Sequence, residues 1–208
     1  MTTVAVTATQ LATDSQATRA MTAMPSSFQK IFTPEEDKEY WEVNGVKIIA
    51  FGLCGNYHAA DFIKHYLAKG IDYRSRVEHE DELDFEALII DENHNIFTWS
   101  VYANKEKRGE DQFLVRVQPP MAAGSGFKFA LAVMCNGKTA EKAVQIASKL
   151  DPFSGGDVQV FDFPAKPAVP SVRPEHLKPK EEEKKEDTKA AEEKPKGKGK
   201  KEEPEKAA

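Results

Sequence analysis

The sequence predicts an α+β fold of antiparallel sheets with helices packed outside them. Two observations point there. Short apolar runs alternate with period two near the start and in the middle of the chain, as half-buried strands do. Their order is several strands, a helix, more strands, two helices and a closing strand, a segregation that antiparallel sheets produce and that alternating βαβ units do not. A third observation sets the boundary. After VQVFDF the composition changes, so residues 1–163 read as the domain and residues 164–208 as a disordered Lys/Glu/Pro-rich tail.

The elements follow in order. In MTTVAVTA, Thr3, Ala5 and Thr7 alternate with Val4, Val6 and Ala8, which predicts a strand over residues 2–8. Such a strand at a terminus implies either an edge strand or an end that has work to do. Residues 8–10 turn the chain into a second strand toward ATDSQAT, and a polar stretch with Pro25 leads to SFQKIF (27–32), read as another strand. The acidic TPEEDKEYWEVNG (33–45) reads as a loop, and KIIAFG (47–52) as a buried strand. GLCG (52–55) reads as a glycine turn. In NYHAADFIKHYLAKG the residues Ala59, Phe62, Ile63, Tyr66 and Leu67 make a helical stripe that stops at Lys69-Gly70.

FEALIIDENHNIFTWSVYA (85–103) predicts two strands around a turn at Glu92-Asn93-His94, and QFLVRVQ (112–118) a further one. FKFALAVMC (127–135) is apolar all round, as in a helix between layers, and Asn136-Gly137 ends it. Thr139 caps AEKAVQIASKL, with Ala140, Ala143, Val144 and Ala147 as its apolar stripe. DPFSGG (151–156) breaks that helix, and DVQVFDF closes the domain as a strand.

Composition narrows the function. The chain has 208 residues and a net charge of −5, and lysines and carboxylates balance in the tail from Pro174 onward. Without an excess of positive charge, nucleic-acid binding is not expected. The start lacks the basic and apolar segments of a signal peptide, and no run is long enough to span a bilayer, so a cytoplasmic protein is expected. Two cysteines, Cys54 and Cys135, make no disulfide framework. Cys54 and His58 imitate a thiol–imidazole pair but belong to a glycine turn and a helix face, and His58 with His65 lacks the third ligand that zinc needs, so no metal or cofactor is expected. The acidic run VEHEDELDFE (77–86) reads as a solvated loop.

Polar residues stand where a bare core would not need them: Thr2-Thr3, DSQAT (14–18), Lys30 inside SFQKIF, and DPFSGG, with Gly-rich turns at GLCG (52–55) and GSG (124–126) beside helix starts. Taken together these stretches resemble the proteasome β-subunit family of N-terminal nucleophile hydrolases, bacterial ATP-dependent members included. The likeness covers about residues 1–163. MTTVAVTA resembles the start of an active subunit, the interval from Asp14 to Lys30 that of the family's acid–lysine pair, and GSGFKFALA its helix start. LDPFSGGDVQVFDF resembles the family's Asp-x-aromatic-Ser-Gly-Gly segment and is the most specific of the motifs. The resemblance implies a four-layer αββα sandwich.

It also implies a threonine peptidase in a self-assembled ring, fed unfolded proteins by an AAA+ ATPase. Thr2 becomes the nucleophile once Met1 is removed, and its own α-amine, with an ordinary pKa of about 7.7–8, serves as base. By the same resemblance Lys30 favours the deprotonated Thr2 hydroxyl, Asp14 directs Lys30, and the Gly52 N–H stabilises the oxyanion. Ser125, Asp151 and Ser154 surround the α-amine, while Phe28, Ala50 and Cys54 line an apolar side-chain pocket. A catalytically silent ring or scaffold subunit, and a stand-alone amidohydrolase of the same nucleophile class, are the alternatives.

Overall fold

The structure is a computed structural model and describes residues 2–19, 22–72, 77, 83–101 and 112–166. Met1, residues 78–82 of the acidic run and the tail beyond residue 166 lie outside these residues.

Sheet 1 consists of β1 (Thr3–Val6), β2 (Gln10–Asp14), β11 (Met121–Gly124) and β12 (Val158–Asp162), in the order β11-β1-β2-β12. β1 is therefore a central strand and not an edge, paired antiparallel to β11 and β2, with all four residues buried. Sheet 2 consists of β5 (Ile31–Phe32), β7 (Val46–Gly55), β8 (Phe85–Asp91), β9 (Ile96–Val101) and β10 (Gln112–Val117), in the order β10-β9-β8-β7-β5. Strand β6 (Glu42–Val43) also pairs with β7, and β3 (Gln16–Arg19) with β4 (Thr22–Ser27) makes a separate hairpin.

Three apolar clusters hold these layers together. Between the sheets, Val4, Val6 and Leu11 of sheet 1 meet Ile31, Leu88 and Ile90 of sheet 2. On the outer face of sheet 1, α3 (Phe127–Cys135) and α4 (Ala140–Leu150) pack through Ala130, Ala140, Ala143 and Ala147 against Ala5 and Ala12. Alanines on both sides leave little side-chain bulk between helix and sheet. On the outer face of sheet 2, α2 (Ala59–Lys69) buries Ile63 and Leu67 against Phe51, Ile89 and Trp99. The layers thus run helix, sheet, sheet, helix, as expected.

α2 and α4 occupy the expected residues, and Thr139 caps α4 by accepting a hydrogen bond from the Lys142 N–H at 3.2 Å. Several expectations need correction. SFQKIF is not one strand: Ser27 ends β4 and only Ile31 and Phe32 form β5, and GLCG is no turn but the end of β7. Strands β4 and β11 arise from TAMPSS and MAAG, which lack a clear apolar alternation because partner strands, not their own patterning, hold them. The acidic segment 33–45 contains a short helix, α1 (Pro34–Asp37), and β6. Helix α3 is not enclosed between layers: Phe127 and Phe129 are exposed, and its buried residues are Ala130 and Met134.

Candidate active site

The register of sheet 1 gathers the polar stretches at one end. Thr3 lies opposite Gly124, Val4 opposite Thr13, and Val158 opposite Asp14. The first residue of β1, the last of β2, the end of β11 and the start of β12 therefore share one rim.

Asp14 is fully buried at this rim, and its carboxylate is saturated. Oδ1 accepts from the Thr3 N–H at 2.8 Å and from Lys30 Nζ at 3.1 Å. Oδ2 accepts from the N–H groups of Gly155 at 2.9 Å and Gln16 at 3.2 Å. Four donors match the acceptor capacity of an ionised carboxylate, which is how a buried charge is tolerated.

Lys30 is 5% exposed. Its Nζ donates to Thr2 Oγ1 at 2.6 Å, to Asp14 Oδ1 at 3.1 Å and to the Gln16 carbonyl at 2.5 Å. Three acceptors account for the three protons of an ammonium group. Burial pulls the Lys30 pKa below its ordinary value of 10.5, and the Asp14 carboxylate opposes that pull. The Thr2 hydroxyl, on a residue only 3% exposed, thus faces a partly desolvated cation.

A second network lies behind Thr2. Asp151 Oδ2 accepts from Ser125 Oγ and from Ser154 Oγ, both at 2.6 Å. Ser154 Oγ is also 2.6 Å from Thr3 Oγ1. Since the single Ser154 proton goes to Asp151, the Thr3 hydroxyl donates to Ser154. The Ser125 N–H donates to the Thr2 carbonyl at 2.9 Å. Gly124 makes that approach possible. A Cβ there would sit 1.9 Å from the Thr2 carbonyl oxygen, and its φ of +86° is one that side chains disfavour.

Thr2, Asp14, Lys30, Ser125, Asp151 and Ser154 therefore come together. Gly52 does not join them. The Leu53 N–H donates to the Lys30 carbonyl and the Asn56 N–H to the Asp84 carbonyl. Alternation along the strand then turns the Gly52 N–H toward β8 and the Gly55 N–H toward the open side beyond β5. Gly52 packs between the sheets, where a Cβ would meet Val4 Cγ1 at 2.8 Å. Gly55 lines both clefts beside Thr2. Reading GLCG as a turn hid this, because only in an extended strand do alternate amides face opposite ways.

One cleft, of about 410 Å³, borders Thr2 and Lys30 and is walled by Ala17, Met24, Phe28, Leu53 and Tyr57. Phe28 and Tyr57 meet edge to face with ring centroids 5.4 Å apart. Of the three expected pocket residues only Phe28 stands here. Ala50 is wholly buried between the sheets, because its side of β7 faces sheet 1. Cys54 lies on the other side of Thr2, in a cleft of about 340 Å³ shared with Asp84, Glu86 and Ser125. Burial, then the neighbouring Glu86, pushes the Cys54 thiol up to about 12, so it stays protonated. Burial also raises the Glu86 pKa, against the Gly124 N–H.

Sequence reasoning passed over Gly155, Gly55 and Gln159 as contributors to this rim, and quoted Thr3 beside Thr2 without giving it a role. Gly155 stood inside the quoted DPFSGG. Nothing distinguished Gln159, whose place in VQVFD reads as an outward-facing polar position.

Comparison with known proteins adds the fold. No family profile matches the chain, and no curated protein does. Thiobacillus denitrificans BPH in complex with Epoxomicin superposes with a TM-score of 0.52 at 15% identity, over 80% of this chain and 99% of that one. The two share a fold. Thiobacillus denitrificans BPH was also matched, at a TM-score of 0.46 and 16% identity over 79% and 98% of the chains. Eukaryotic HslV from Trypanosoma brucei gives 0.49 and 18% over 77% and 98%.

Proposed function

We propose that this chain is a threonine-type peptidase subunit of the proteasome β-subunit family. The observation that carries the reading is the Lys30 ammonium, held by buried Asp14 and set 2.6 Å from Thr2 Oγ1. The fold shared with BPH, itself solved with Epoxomicin bound, supports it.

On this reading Thr2 is the first residue of the working protein, and everything before it is removed. Its α-amine then takes the hydroxyl proton, and Oγ1 attacks the scissile carbonyl. Lys30 stabilises the developing alkoxide by charge and cannot itself be the base while all three of its protons are engaged. Negative charge on the tetrahedral intermediate falls to a backbone N–H; Gly55, which lines the cleft beside Thr2 and whose N–H faces away from β8, is the favoured group. The network of Ser125, Asp151 and Ser154 orients the amine and returns its proton to the leaving group. Water then attacks the acyl-threonine ester by the same route in reverse. Ala17, Met24, Phe28 and Tyr57 favour an apolar substrate side chain.

Assembly into rings, an AAA+ ATPase that unfolds substrates, unfolded proteins as substrates and a cytoplasmic location belong to the proposal through the family resemblance. An intact Thr2–Asp14–Lys30 set supports catalysis over a silent ring subunit, which has no use for it. The test is N-terminal sequencing and intact mass of the purified protein, with and without a peptidyl epoxyketone, which requires a vicinal amine and hydroxyl for its adduct. A mature chain starting at Thr2 that gains one inhibitor mass is expected. Folded protein that keeps Met1 and ignores the reagent would overturn the reading.

A further inference from the structure

Lys30 sits on a stretch of backbone outside any named strand, where the Leu53 N–H donates to the Lys30 carbonyl at 2.9 Å and the Phe28 N–H to the Ser15 carbonyl at 3.0 Å. The two-residue β5 begins only at Ile31. Before it, residues 28–30 pass along the open edge of sheet 2, where the peptide groups of a further strand would ordinarily bind them. No such strand is present among the described residues.

Gln159 stands in for it. The residue lies on β12, the opposite edge, paired with Thr13 one position from the Val158–Asp14 pair. Its side chain leaves sheet 1 and ends on this segment. Oε1 accepts from the Lys30 N–H at 2.8 Å and the Ile31 N–H at 3.3 Å, while Nε2 donates to the Phe28 carbonyl at 2.6 Å. A primary amide offers a donor and an acceptor side by side, as a peptide group of a neighbouring strand would. Strand β12 thereby registers both members of the acid–lysine pair, Asp14 through the ladder and Lys30 through this one side chain.

We infer that Gln159 is a positioning residue that sets the distance between the Lys30 ammonium and Thr2 Oγ1 by clamping residues 28–31 to sheet 1. The consequence for turnover rests on the peptidase reading; the effect on Lys30 does not. A Lys30 released from the clamp loses its aim at Oγ1 and moves toward solvent. A displacement of about 1 Å from productive geometry is worth up to ~10²-fold in rate.

The test compares wild type, Gln159→Met and Gln159→Glu. Methionine keeps the length of the side chain and abolishes all three hydrogen bonds. Glutamate keeps the acceptor for Lys30 and Ile31. With a short apolar fluorogenic peptide, Gln159→Met should lower kcat ~10- to 100-fold with KM within about twofold, and Gln159→Glu should recover at least ~5-fold of that loss. In the same proteins labelled with ¹³C at lysine Cε, the Lys30 titration midpoint should move up toward its ordinary value in Gln159→Met. An active wild type whose Gln159→Met variant turns over within twofold overturns the inference, as does glutamate performing no better than methionine. A wild type without peptidase activity overturns the functional reading instead. The Lys30 titration then decides alone: an unmoved midpoint in Gln159→Met refutes the clamp, and a raised one supports it.

Discussion

Replacing Lys30 by methionine separates the charge of this residue from its apolar stem. Lys30 is 5% exposed and its partner Asp14 fully buried, so removing the cation leaves an unpaired carboxylate. Breaking a buried ion pair by deleting one partner typically costs about 3–5 kcal/mol. Asp14 keeps three backbone donors, from Thr3, Gln16 and Gly155. The loss therefore belongs near the lower end, about 3 kcal/mol. At an m-value of ~2 kcal/mol/M this moves the urea midpoint down by about 1.5 M. Asp14→Asn should cost more, about 4 kcal/mol, because its NH₂ group faces a backbone N–H while Lys30 stays charged. The double variant should be less destabilised than the sum by about 2 kcal/mol, the coupling of the pair.

The pH dependence has a definite sign. The native state holds the Lys30 proton less tightly than the unfolded chain does. Between the lowered native pKa and the ordinary 10.5, the unfolded state binds more protons, so wild-type stability rises with pH there. Lys30→Met lacks this rise, and the gap between the two proteins should widen as pH climbs through that window. Urea titrations at fixed protein concentration, from neutral pH upward, supply both measurements. Additive losses in the cycle, or a gap that narrows with rising pH, would refute the electrostatic account.

Further outcomes follow from the same geometry. Thr2→Ala should abolish peptide cleavage with little change in melting temperature, whereas Thr3→Ala, which loses only the bond to Ser154, should keep measurable turnover; equal loss from both would mean the nucleophile is misassigned. Gly124→Ala should destabilise the fold by roughly 2–4 kcal/mol and silence the protein, since its Cβ would stand 1.9 Å from the Thr2 carbonyl oxygen; near-normal stability by urea denaturation would contradict the contact. Thr139→Ala should cost about 1 kcal/mol through loss of the α4 cap and leave turnover per folded molecule unchanged, which thermal melts and peptide assays check together. In native protein at pH 8 a thiol alkylating reagent should add once, at exposed Cys135, because buried Cys54 titrates only at about 12; two rapid additions by mass spectrometry would show Cys54 to be accessible.

What the sequence determined by itself is what local chemistry encodes. Helix α4 was legible to the residue because Thr139, the alanine stripe and DPFSGG each act within a few positions. The long central strands were legible because both faces are buried and their side chains say so. The acid, the lysine, the serines and the threonine stood out through the resemblance of their motifs to a family, since each alone reads as an ordinary turn, cap or surface residue. The tertiary structure alone decided how they are held. Which glycine amide faces the cleft depended on the register of β7 against β5 and β8, which no spacing within GLCG encodes. Strands β4 and β11 exist because partners complete their hydrogen bonds. The grip of Gln159 on Lys30 joins the edges of two sheets across 129 residues of chain. A side-chain amide looks the same in sequence whether it meets water or replaces a missing strand, and only the approach of the two edges distinguishes these cases.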